Sequence, residues 1–261
     1  PTGGLHDLAA RRIRATTEDP GLILRDDGLR ILRMARFAAL LAFSVDPATQ
    51  AAAAEYAAGL RGISAERVRD ELYRLMAAEP GPLVRALQLL DEIGAWDYVI
   101  PELTRGRGVE QDPVYHAYPV LEHAFHTCAA MAGPDPVLKL AALLHDVGKP
   151  YALEANQGRE GSPMQGHDKI GAEISREILT RLKCTNADRE RVAALITHHM
   201  YDLNGAAREE TLRTRFAGWG VALTRDLIAL RRADVHGSGR TKGPVETADR
   251  FDHLVEPRRK H

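Results

Sequence analysis

Apolar residues recur every three to four positions along most of this chain, a spacing that predicts helices from one end to the other. Leu29, Ile31, Leu32, Met34, Ala35, Phe37, Ala38, Leu40 and Leu41 keep a helical period, with Arg30, Arg33 and Arg36 as a basic stripe every third residue. Asp46-Pro47-Ala48-Thr49 starts an alanine-rich helix. Ser64-Ala65-Glu66-Arg67 opens a third, with Ser64 as its N-cap ahead of Val68, Leu72 and Leu75. A fourth runs from about 81 to 93 and stops at Gly94. Further helices are expected near 118–132, 136–147, 168–182, 187–200, 208–217 and 220–234. No β-rich segment or internal repeat breaks the pattern, so the predicted fold class is all-α.

The breaks in periodicity divide the chain. Residues 1–27 are rich in Arg and Asp with weak periodicity and read as a connector, followed by a helical domain over 28–103. The stretch 102–113 is polar and punctuated by glycine and proline, which places a linker at 104–112 and a second helical domain at 113–236. Inside that domain the gap 151–166 carries Gly158, Gly161, Pro163 and Gly166, and a loop that long in a compact domain is usually functional. Residues 237–261 read as a polar basic tail that frays.

Composition narrows the classes. The 261 residues are 44% hydrophobic and 27% charged, enough for a proper core, and the formal net charge is −1. No global field therefore pulls the chain toward nucleic acid or anionic lipid, and any RNA contact has to be a local patch. Cys128 and Cys184 stand apart without CxxC spacing, which argues against a zinc-thiolate site and fits a reducing compartment. No apolar run approaches a membrane span and no signal peptide is visible, so the expected location is cytoplasmic with no membrane partner. The chain starts at Pro1 rather than methionine, which reads as a fragment or a processed product.

The strongest chemical signal is a set of metal-ligand types in order: His123, the adjacent pair His145–Asp146, His167, the pair His198–His199, and Asp234. His145–Asp146 closes the apolar run from Leu138 to Leu144, where an imidazole and a carboxylate are costly to desolvate unless something compensates them. His198–His199 and Asp234 likewise follow apolar stretches, as a metal cage in a helical core requires. Taken singly, each has a bland explanation, and His116, His126, His236 and His253 are assigned to that bland class. Imidazole plus carboxylate without thiolate suits one or two divalent ions of manganese, iron, nickel or zinc, with magnesium less natural.

Order and local words together resemble the HD-domain metal-dependent phosphohydrolases: Val120-Leu121-Glu122-His123, Ala142 to Lys149, Gly166 to Gly171, and Ala233-Asp234. That resemblance implies a core shell of His123, His145, Asp146 and Asp234, with His167 and His198 or His199 widening it toward a second metal. Asp146 lies between the two sides and would bridge two ions. Lys149, three residues on, is placed to meet a phosphate; the alternative is a helix C-terminal cation favoured by the macrodipole.

The segment from Leu24 to Ala39 resembles the neck of bacterial CCA-adding enzymes, the class II tRNA nucleotidyltransferases, and of related poly(A) polymerases. In that family an acidic-Asp-x-x-Arg motif reads the incoming nucleotide. It maps to Asp26, Asp27 and Arg30, with Asp26 in place of glutamate and Gly28 in place of proline. A carboxylate paired with a guanidinium offers a planar edge that can mimic a base; the plain alternative is a surface ion pair. Pro1 to Leu8 resembles the end of that family's palm, and Ser64 to Leu72 its next helix. The Gly-Ser loop and paired aspartates of nucleotide addition have no counterpart in these residues, and the run 237–243 fails the P-loop spacing. The expected function is therefore hydrolysis of phosphoesters such as 2′,3′-cyclic phosphates, 2′-nucleotides or tRNA 3′-end phosphates, with tRNA or a nucleotide phosphoester as partner. The rivals are a non-catalytic tRNA- or partner-binding piece and an HD hydrolase of signalling nucleotides or dNTPs.

Overall fold

The computed structural model describes residues 3–158, 160–202, 205–240, 251 and 255. The chain divides into two units, Pro1–Arg105 with Ile178–Cys184, and Gly106–Glu177 with Thr185–His261.

In the first unit come α1 (Gly4–Ala9), β1 (Arg12–Ile13), α2 (Pro20–Asp26), α3 (Leu29–Leu41), β2 (Ser44–Val45), α4 (Pro47–Glu55), a 3-10 turn over Ala57–Gly62, α5 (Ala65–Leu75), α6 (Pro80–Glu92), α7 (Trp96–Val99) and α8 (Pro101–Thr104). The central helix is α3, which packs on α5 and α6 and buries Ile31, Leu32 and Ala35. Its basic stripe is partly internal: Arg36 Nε lies 2.6 Å from the buried Glu71 carboxylate on α5. Asp19 and Asp46 cap α2 and α4, each followed by proline at the first helical position. Ser64 stands at the N-cap of α5 but its side chain makes no capping bond.

Residues 3–27, within the stretch read as a connector, are ordered. β1 pairs in parallel with β2, and Asp7 holds Arg12 and Arg14 at 3.0 and 2.7 Å. Helices of six and seven residues and strands of two are too short to impose a period on the sequence, which is why this segment read as irregular.

The second unit holds α9 (Val120–Ala130), α10 (Pro136–Leu144), α11 (Lys149–Ala155), most of α12 (His167–Arg181), α13 (Asn186–His198), α14 (Glu209–Trp219) and α15 (Val221–Gly237). α9 packs on α10 and α15, and α10 packs on α13. Gly237 lets α15 meet α9 backbone to backbone, since a Cβ there would lie 2.6 Å from Thr127 N. α11 occupies the start of the gap read as a loop. The remainder is closed by the Asn156 amide, which donates to the carbonyls of Pro163 and Gln165 at 3.2 and 3.0 Å. The tail begins differently from the sequence reading. Ser238 is buried and its carbonyl accepts from Ala117 N at 2.8 Å, while Phe251 packs fully buried against Tyr201 and Phe216. Residues 241–250, 252–254 (His253 included) and 256–261 lie outside the described residues. No helix among the described residues is long and apolar enough to cross a membrane.

Candidate metal centre

The apolar helix α10 ends at Leu144, one turn sooner than its periodicity suggests, and residues 145–148 form a tight turn with Val147 N on Leu144 O and Lys149 N on Asp146 O. Neighbouring residues of a continuous helix point about 100° apart; the turn instead aims both His145 and Asp146 into the core. Gly148 completes this turn. A Cβ there would strike His167 O and lie 2.6 Å from Gly171 N, so only glycine lets the turn sit against the start of α12. That close approach places His167 beside Asp146.

The donors fall into two groups, His123 with His145 and Asp234, and Asp146 with His167 and His199; within each, the ligand atoms lie within 4.8 Å of one another. In the first, His123 Nε2 is 3.2 Å from His145 Nε2 and 2.9 Å from Asp234 Oδ1. In the second, His167 Nε2 is 3.3 Å from His199 Nε2, and both face Asp146 Oδ1 at 3.5 and 3.7 Å. Asp146 joins the groups, because its Oδ2 lies 3.2 Å from His145 Nε2 and 3.6 Å from His123 Nε2.

These separations fit shared ions. Ligands about 2.0–2.1 Å from a tetrahedral or octahedral ion stand roughly 3.0–3.4 Å from each other. The tautomers fit as well. His145, His167 and His199 each present Nδ1 to the backbone carbonyl three residues back, Ala142, Met164 and Ile196, at 2.8, 2.9 and 2.6 Å. Donation from Nδ1–H turns Nε2 of His167 and His199 inward as a lone pair, and frees that of His145 to do the same once its second proton is displaced. In the second group those lone pairs converge on Asp146 Oδ1, a buried acceptor with no hydrogen-bond partner. Buried acceptors facing acceptors call for a cation between them.

Protonation tells the same story. Burial pushes the His145 imidazole down, but the charge of Asp146 and hydrogen bonds to Asp146 and Asp234 outweigh it and raise its pKa to about 10. Burial dominates at His167 and lowers it to about 4. Asp146 and Asp234 pay for burial yet are held well below the usual carboxylate range, Asp146 by the charges of His145 and Lys149 and Asp234 by hydrogen bonds from His123 and His145. Without an ion, His145 thus carries an extra proton in the first group, while His167 in the second is held neutral.

Lys149 does not close a helix. It opens α11, buried, with Nζ 2.6 Å from both Asp146 Oδ2 and Gln111 Oε1, so a macrodipole role at a helix C-terminus does not apply. His198 is not in either group; its ring stacks on Trp219 with centroids 4.8 Å apart, and adjacent His199 turns inward. A cavity of about 700 Å³ opens onto Asp146, Lys149, His167, His199 and Asp234. Among its lining residues, Gln111, Tyr115 and Arg231 were not singled out in the sequence. His116, placed in the bland class, stands edge-on to His123 at 4.6 Å with an unpartnered Nδ1, and burial lowers it to about 4. Gln111, Tyr115 and His116 lie before α9, outside any helical period, while Arg231 sits one turn before Asp234 on α15, a spacing that could have pointed to it. His126 stacks on Tyr118 and His236 is exposed, as ordinary histidines do.

In the first unit the nucleotide motif is arranged differently from a single Asp27–Arg30 edge. Arg30 Nη2 stands 3.4 Å from Asp26 Oδ2 and Nη1 donates to Ile23 O at 2.8 Å. Asp27 accepts from Leu29 N at 3.1 Å and pairs with Arg67 at 2.7 Å, a partner the sequence did not suggest.

A family model described as "HD domain" matches residues 114–236, and one described as "Probable RNA and SrmB- binding site of polymerase A" matches residues 42–106. An A-adding tRNA nucleotidyltransferase of Deinococcus radiodurans is 37% identical over 98% of this chain and 58% of its own length. The chain is homologous to the CCA-adding enzymes. A CC-adding tRNA nucleotidyltransferase of Thermus thermophilus is 32% identical over 88% of this chain and 54% of its own length. The chain spans about half the length of the curated relatives it matches. The same fold occurs in the Bacillus stearothermophilus CCA-adding enzyme crystallised with CTP, which aligns with 97% of this chain and 52% of its own at a TM-score of 0.60 and 20% identity.

Proposed function

We propose that the second unit is a metal-dependent phosphohydrolase that acts on phosphoesters of the tRNA 3′-end type: 2′,3′-cyclic phosphates, 2′-nucleotides or 3′-end phosphates. The observation that carries this reading is the buried, unpartnered Oδ1 of Asp146 facing the inward lone pairs of His167 and His199. His123, His145 and Asp234 would hold one divalent ion and Asp146, His167 and His199 another, with Asp146 standing between the two groups. Ions so held polarise a phosphoryl oxygen and acidify water at neutral pH. Lys149 fixes the orientation of Asp146 and presents its ammonium to the same cavity, where a phosphate oxygen docks. The loop residues Ser162, Met164 and Gln165 wall the cavity and limit water around the ester. The first unit contributes affinity for tRNA or nucleotide through Asp26, Asp27 and Arg30, in a protein of tRNA 3′-end processing.

The test is elemental analysis of the purified chain together with a panel of 2′,3′-cyclic nucleotides, 2′-nucleotides, a generic phosphodiester, dNTPs and signalling nucleotides. Metal-dependent turnover of the cyclic and 2′-phosphates, lost with bound metal in Asp146→Ala, is the expected result. Wild-type metal content in Asp146→Ala would overturn the ligand assignment, and a metal-loaded protein inert on the whole panel would overturn hydrolysis.

A further inference from the structure

We propose that Arg231 anchors the substrate's phosphate in this cavity, an inference that rests on the phosphohydrolase reading and names the residue that recognises the anion. Arg231 lies on α15 one turn before Asp234, on the same face, and lines the cavity with Asp146, Lys149, His167 and Asp234. It is only 2% exposed. Its Nη2 donates to Tyr201 O at 2.7 Å, while its Nε is buried without a partner. Among the described residues no carboxylate lies within 4.0 Å of the guanidinium. Lys149, the other cation of the cavity, is neutralised by Asp146.

A guanidinium cannot shed its proton, so burial leaves a permanent charge with no ion pair in contact; Asp234 and Asp202 act on it only from further off and do not offset the cost of burial. Such a group is costly in the free protein and is retained where a ligand supplies the countercharge. A phosphate oxygen supplies both the charge and an acceptor for Nε–H, next to the ligand groups that would hold metal against the same phosphoryl group. The Tyr201 carbonyl holds the fork in place from behind, so one edge is structural, while the buried Nε–H is left to pair with an oxygen that comes in beside it.

The test uses inorganic phosphate as the probe, titrated against thermal unfolding of the full chain, with chloride at matched ionic strength as control. It is run on both chelator-treated and metal-loaded protein. Wild type should show a saturable rise in Tm in both forms. Arg231→Met should lose it, and Arg231→Lys, which keeps the charge but not the fork, should weaken phosphate by about ten-fold or more. If Arg231→Met does not fold, the Lys variant decides alone. Absence of any phosphate effect on wild type, or unchanged phosphate affinity in whichever variant folds, overturns the proposal. Phosphate binding through Arg231 in a protein that hydrolyses nothing would sink the proposed function and leave this anchor standing; turnover with unaltered phosphate affinity in the variants would do the reverse.

Discussion

Gly148→Ala probes whether the metal centre depends on backbone contact between the turn after α10 and the start of α12. The φ of Gly148 is −77°, open to any residue, so the substitution acts through space alone. The new methyl would strike His167 O and sit 2.6 Å from Gly171 N, whereas ordinary contact begins at 3.4 Å. Neither neighbour is a flexible side chain, so the turn and α12 must separate by at least about 0.8 Å, the shortfall at Gly171 N, and by more at His167 O. Overpacking of this kind costs ~1–3 kcal/mol, which for a domain this size lowers Tm by roughly 2–12 °C. The ligand geometry suffers more than the fold, because metal sites tolerate only about ±0.2 Å. His167 moves away from Asp146, while His123, His145 and Asp234 stay put on α9, the α10 turn and α15. Metal titration should therefore show one class of site weakened by about 10–100-fold and the other close to wild type. An alanine variant with unchanged Tm and two intact sites would refute the argument that this glycine sets the spacing.

Other outcomes follow from buried groups. The metal-free His145 imidazole has its pKa raised from 6.5 to about 10, so its stabilising contribution is complete below 6.5 and is lost as pH rises through 10. An ion must displace that proton: calorimetry at pH 7.5 in buffers of different ionisation enthalpy should register release of about one proton per ion at this group, and none would contradict the assignment. Burial pushes the Cys128 thiol from 9.0 to about 12, so folding keeps it protonated, and its contribution to stability holds below pH 9 and declines above it. Thiol reagents at pH 8 should label Cys128 only in denaturant, and rapid labelling of native protein would show that the α9 core opens. Glu71→Ala strands the Arg36 guanidinium on α3; at about 3 kcal/mol, the lower end for a broken buried pair, it should lower Tm by roughly 6–12 °C, read by calorimetry. A change under 2 °C would mean that water reaches the pair.

The all-α class and the positions of the long helices were legible because a 3.6-residue period over ten or more residues is a local signal. Composition and order also made the ligand types readable: an imidazole or carboxylate at the end of an apolar run has few other reasons to be there. What tertiary structure decided was direction. His198 and His199 are equivalent in sequence, and only the end of α13 turns one toward Asp146 and the other onto Trp219. Lys149 read as a cation past a helix end, but α11 begins there, and the partner that fixes it, Gln111, lies 38 residues upstream. Asp27 read as a partner of Arg30, yet Arg67 takes it from 40 residues away. Arg231 carries no signal of its own in the sequence; packing alone removed it from water and left its Nε without a partner. Periodicity reports which face of a helix is buried; which side chains then meet depends on contacts between residues far apart in the chain, and those exist only once the helices have packed.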